Sequence, residues 1–146
     1  MPLLTRLSRS VLLAAASVLV LSGCGSDPLN AASVRGKVTV DNQPLTTGSV
    51  RFVPDKTKGN TSPVEPLGLI NESGQFELST NGKPGAPLGW YKVAVIAADM
   101  PDSTKVNAVP KSYVGNKFND PEFSGLSVEV VSSAKDGAYD LKVTAK

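Results

Sequence analysis

Trp90-Tyr91-Lys92-Val93-Ala94-Val95-Ile96-Ala97 is the stretch whose pattern decides the fold. Its alternation places Tyr91, Val93 and Val95 on one side and Trp90, Lys92, Ala94 and Ile96 on the other, the period of a half-buried β-strand. The first set carries no charge and is assigned to the core. Upstream, Val34, Gly36, Val38 and Val40 alternate with Arg35, Lys37 and Thr39 in the same way. Asp41-Asn42-Gln43-Pro44 then turns the chain, because Asn42 tolerates left-handed backbone and Pro44 cannot extend a ladder. Further strands are expected at Ser49 to Val53, at Leu67 to Ile70 and at Gln75 to Ser79, with Phe76 and Leu78 pointing inward. Asn71-Glu72-Ser73-Gly74 supplies the turn between the last two. Downstream, Leu126 to Val131 and Ala138 to Thr144 are joined by the polar turn Ser132 to Gly137. About seven short strands without a convincing helix predict an all-β sandwich. The 13 Gly and 11 Pro among 146 residues suit one turn-rich β domain.

The three long connections differ in character. Asp55 to Pro66 is polar, and Lys56 and Lys58 read as a solvated loop tip. Asn81 to Gly89 is rich in Gly and Pro and is expected to be loop. Asp99 to Ser124 is the longest stretch without regular pattern, and such a loop in a compact domain is often functional.

Ahead of the domain, Met1 to Ser10 carries Arg6 and Arg9 without any acid, and Val11 to Leu21 is apolar except for Ser17. With Ser22 and Gly23 following, this is the layout of a secretory signal peptide over residues 1–23. The apolar run falls short of the roughly 20 residues a membrane-spanning helix needs. Residues 24–32 read as a flexible tether and 33–146 as the β domain. Leu21-Ser22-Gly23-Cys24 resembles the bacterial lipobox at all four positions. The resemblance implies cleavage before Cys24, a diacylglyceryl group on its thiol and acylation, palmitate included, of the new N-terminus. Two or three acyl chains hold a protein on a membrane stably where one does not. Cys24 is thus expected to be a tether to the extracytoplasmic side of the envelope. By analogy with better studied envelopes, Gly25 in place of a retaining Asp favours the outer membrane over the inner.

Composition excludes several functions. Without Arg6 and Arg9 the 15 basic residues fall to 13, matching the 13 acidic ones, so the mature chain has no electrostatic footprint for nucleic acid. The chain has no His, and the lipobox resemblance assigns its only Cys to lipid, which excludes or severely weakens Ser-His and Cys-His arrangements and the usual zinc sites. No catalytic residues, metal or cofactor are therefore assigned. Asp99, Asp102, Asp120 and Glu122 could give oxygens to Ca2+, but their spacing fits no known calcium loop and solvated carboxylates are favoured.

The candidate binding surface is Trp90 with Lys92, together with Tyr113 and Phe118 from the long loop. If Tyr91 faces inward, Trp90 faces outward, where an indole can stack on a sugar ring or anchor a protein contact. The alternative is that Trp90 lies beneath the long loop in a second packed face.

The segments Val34 to Leu45, Gly48 to Pro54, Gly68-Leu69-Ile70 with Gly74-Gln75-Phe76, and Gly89 to Val95 resemble the carboxypeptidase regulatory-like, transthyretin-like (prealbumin-like) sandwich. With the lipobox in front and Ser124-Gly125-Leu126-Ser127-Val128-Glu129-Val130 near the end, the whole resembles small lipoproteins of planctomycete-type bacteria. Asn42 departs from the Gly common at the family's first turn, a change that the backbone tolerates. The resemblance implies a lipid-anchored accessory module that is not an enzyme and that binds or scaffolds a protein partner or envelope polymer. Carbohydrate binding through exposed aromatics is the alternative.

Overall fold

The computed structural model describes residues 29–99, 104 and 110–146. The leader, Leu21, Ser22, Gly23, Cys24 and Asp102 lie outside them. Twelve strand segments follow in order: β1 (Ala31–Ala32), β2 (Arg35–Val40), β3 (Gln43–Pro44), β4 (Ser49–Pro54), β5 (Leu67–Leu69), β6 (Gln75–Glu77), β7 (Ser79–Thr80), β8 (Lys83–Pro84), β9 (Ala86–Pro87), β10 (Gly89–Ile96), β11 (Ser127–Val130) and β12 (Leu141–Val143). The only helical pieces among the described residues are two 3-10 turns, Lys56–Lys58 and Asn116–Asn119. None of the described helices is long and apolar enough to cross a membrane. All seven expected strands are present, and the protein is all-β.

Two main sheets face each other. The larger has the order β11-β10-β4-β5-β7-β8, and the smaller has β12-β2-β3 with β6 also paired to β2. Pairing is antiparallel throughout except between β12 and β2. At the β2–β3 hairpin Asp41 and Asn42 have φ of 48° and 67°, the left-handed pair that a tight two-residue turn requires. The Asn71 side chain caps the next turn by accepting from the backbone N–H groups of Ser73 and Gln75, both at 2.9 Å.

The core lies between the inner faces. Val50, Phe52, Tyr91, Val93 and Val95 come from the larger sheet, and Val38, Phe76, Leu141 and Val143 from the smaller. Phe52 joins the two layers, with ring centroids 5.6 Å from Tyr91 and 6.4 Å from Phe76. Tilted aromatic pairs at this spacing add to the burial of the rings themselves. Gly36 is where β2 passes the carbonyl of Tyr139, since a Cβ there would lie 2.3 Å from that oxygen.

The structure departs from expectation in four places. Ala31 and Ala32 pair with Pro87 and Ala86, so the domain begins inside the stretch read as tether. Asn81 to Gly89 is not simple loop, because Lys83–Pro84 and Ala86–Pro87 each pair with another segment. Ala138 and Tyr139 belong to a turn, and the last strand starts at Leu141. Ala94, assigned to the outer face, is fully buried, because the 116–119 turn packs against β10.

Tyr91 has a second role. Its hydroxyl donates to the carbonyl of Pro87 at 2.8 Å, four residues upstream, tying the entry of β10 to the strand itself. This is the arrangement of the tyrosine corner of β-sandwiches. Burial, the largest influence on its phenol, raises the Tyr91 pKa above the ordinary value and keeps the hydroxyl a donor. Replacing Tyr91 by Phe removes the hydroxyl, and with it the bond to Pro87, while keeping the ring, so it should cost about 1 kcal/mol. The check is a lowered urea midpoint with an unchanged denaturant slope.

Candidate functional site

The site is built around the backbone at Trp90. Its carbonyl accepts two hydrogen bonds, from the Asp55 N–H and from Asn60 Nδ2, each at 2.9 Å. These fasten the 55–62 loop to β10. Asp55 starts the Lys56–Lys58 turn, with Oδ1 accepting from the Thr57 N–H at 3.0 Å and the Thr57 hydroxyl at 2.5 Å. The Asp55 carbonyl accepts from the N–H groups of Lys58 and Asn60. Asn60 is buried and uses its Oδ1 to accept from the Ser62 N–H at 3.0 Å. Gly89, at φ of 133°, lets Asn60 press close, since a Cβ there would sit 3.0 Å from Asn60 Nδ2.

This loop carries Lys58 over the indole. Lys58 Nζ lies 3.8 Å from the centroid of the Trp90 ring and donates to Ser127 Oγ at 2.9 Å. A cation over an indole face is attracted by the ring's negative quadrupole. Trp90 and Glu129 are direct cross-strand partners, as are Lys92 and Ser127, so all four side chains share the outer face of the larger sheet. Between the loop, Leu88 to Trp90 and Glu129 lies an open polar cleft of about 560 Å³.

The predicted surface is only partly brought together. Trp90 is half-buried rather than open, and its cover is Lys58. Lys58, expected at a solvated tip, is therefore part of the site. Lys92 is also half-buried and pairs with Glu122 of the long loop, Nζ to Oε2 2.5 Å. That hydrogen bond is the main reason its pKa is raised. Tyr113 is exposed at the other end of β10, where its hydroxyl donates to Asp99, the bond chiefly responsible for its raised pKa. Phe118, expected on the binding surface, does not lie at the surface at all. It is 4% exposed and joins the core, with Lys117 Nζ 4.8 Å from its ring.

The proposed oxygen donors are likewise occupied separately. Asp99 takes the Tyr113 hydroxyl, Asp120 Oδ1 accepts the Glu122 N–H at 2.8 Å, and Glu122 holds Lys92. Among the described residues no three metal-ligating side chains converge.

A larger groove of about 830 Å³ runs between β2, β5 and β6, past Phe76, Leu67 and Leu69. Two of its charges, Arg35 and Glu77, pair with each other at 2.9 Å and are both well exposed, so that pair contributes little, and among the described residues no aromatic face stands beside a cation there as it does at Trp90. The Trp90 cleft is smaller but joins an aromatic face, a cation, a carboxylate and hydroxyls on a fixed frame. Asn60 and Glu129 were not assigned to the site from sequence, and Lys58 was read only as part of a solvated loop tip. Asn60 followed two residues later by Ser62 is the pattern of an Asx turn, and Asp55 before Lys56-Thr57-Lys58 is that of a capped one. Comparison with known proteins finds no matching family, no matching curated protein and no matching solved structure.

The Thr57 hydroxyl is the largest influence on Asp55 and lowers its pKa below the usual carboxylate value. Asp55 therefore contributes stability above its unfolded pKa of about 3.9, and that contribution is lost as pH falls through the lower folded value. Thr57→Val should lower the urea midpoint at pH 7. The gap from wild type should close only as the pH falls through that lower folded value, below which Asp55 is protonated in both.

Proposed function

We propose that this chain is a lipid-anchored accessory protein of the cell envelope, a non-catalytic transthyretin-like, carboxypeptidase regulatory-like module that binds or scaffolds a protein partner or an envelope polymer. The observation that carries the reading is Leu21-Ser22-Gly23-Cys24 at the end of a basic-then-apolar leader. The geometry of the domain supports it. Between Cys24 and Ala31, where pairing begins, the chain can span at most about 25 Å, so the domain is held close to whatever carries Cys24. Ala31 pairs with Pro87, just before β10 starts. From Gly89, β10 travels about 23 Å to Ile96, away from that attachment. There the Ala98–Ser112 bridge and the Tyr113 bond to Asp99 fasten the base of the long loop. Tyr113 thus stands, exposed, at the end of β10 opposite the Ala31–Pro87 pairing, where it can meet a partner.

Fractionation of cells expressing wild type and Cys24→Ala tests the anchor. The wild type should sediment with membranes, and the variant should be soluble or remain an uncut precursor. A Cys24→Ala protein that is processed and anchored like wild type would refute the reading. Photo-crosslinking from position 113 in the same cells should capture one stoichiometric partner or wall polymer, and no adduct would remove the scaffolding role from this end.

A further inference from the structure

We propose that the cleft beside Trp90 is a glycan subsite in which one pyranose ring stacks on the indole face now covered by Lys58. The proposal rests on the envelope-binding reading above and gives it a ligand class and a place. An indole face in a folded protein is usually sealed by packed apolar side chains. Here its cover is the ammonium of an exposed, flexible Lys58, 3.8 Å from the ring centroid. That side chain can leave by rotation alone, at little cost to the fold. Its departure exposes a flat apolar platform beside a polar wall, which is the combination that the two faces of a sugar ring require: C–H groups against the aromatic, hydroxyls toward donors and acceptors.

The wall offers both kinds of group. Thr61 and Ser62 hydroxyls both donate and accept, and the Glu129 carboxylate accepts. An anionic ligand would meet Glu129, whereas neutral hydroxyls are satisfied by it and by the Thr61 and Ser62 hydroxyls. The cleft, about 560 Å³, lies in the usual size range of small-ligand sites. It is also fixed in advance. Asn60, itself buried, bonds to the Trp90 carbonyl and to the Ser62 N–H, so the loop wall and the indole are joined through one residue and need no ordering on binding.

Trp90 is the only tryptophan in the chain, so emission reads this cleft directly. The full lipoprotein, purified in a detergent without a sugar headgroup, is titrated with a β-1,4-linked N-acetylglucosamine tetrasaccharide and a β-1,4-linked glucose tetrasaccharide. At least one should shift Trp90 emission saturably. Thr61→Ala and Glu129→Gln, both at exposed positions, should each weaken binding about tenfold with unchanged melting. Lys58→Ala, which removes the competitor for the ring face, should tighten it about threefold. No saturable change with either sugar below about 10 mM would overturn the proposal, as would binding that Thr61→Ala and Glu129→Gln leave unaltered. Normal anchoring without sugar binding removes this subsite alone, and sugar binding by a protein that proves not to be anchored removes the envelope reading alone.

Discussion

The pleat of β10 between residues 90 and 91 is the constraint on which the rest of the structure depends. Tyr91 turns inward to Phe52, and Phe52 meets Phe76 of the opposite sheet. Trp90 turns outward to Lys58 and Glu129. A slip of one residue would exchange the two faces and drive Lys92 into the space of Val93 and Tyr91, an uncompensated buried charge. The charge thus pins the register as firmly as the apolar residues do. One strand consequently fixes both the thickness of the core and the position of the only indole.

The outer face of this sheet is roofed by two loops that hold it in different ways. The 55–62 loop is bound through the backbone carbonyl of Trp90, so its attachment survives replacement of the Trp90 side chain. The long loop instead sends Glu122 to Lys92 and packs its 116–119 turn on β10. Beyond their reach the same face is bare, with Leu69 74% exposed on β5. The contrast explains why Ala94 is sealed while Ile96, two residues further on, is not.

The strands were legible because each one carries its own periodicity. Val34 to Val40 and Trp90 to Ala97 announce a buried face without reference to any other segment. The site was not legible to the same degree, because it is made by residues distant in sequence. Nothing near Lys58 marks it as the partner of Trp90, 32 residues away, and a lysine in a polar loop is ordinarily solvated. Phe118 was misassigned for the opposite reason. It sits in a segment without alternation, so its burial comes from a 3-10 turn folding back on β10 rather than from any local pattern. The short pairing of Ala31–Ala32 with Ala86–Pro87 has two-residue partners, too brief for periodicity to register.

The place of β12 has a kinetic consequence. Leu141 to Val143 lie parallel to Val38 to Val40, the Lys37 N–H donates to Asp140 at 2.9 Å, and Ala145 donates to Asp41. One of the first strands of the domain is therefore completed by one of the last segments to be made. Closing so long a loop is slow, and most of its reward arrives only at the end. A chain made N-terminus first leaves this sheet incomplete until residues 141–143 have emerged. Completion of the smaller sheet is in this way timed by the about one hundred residues that separate its two parallel strands.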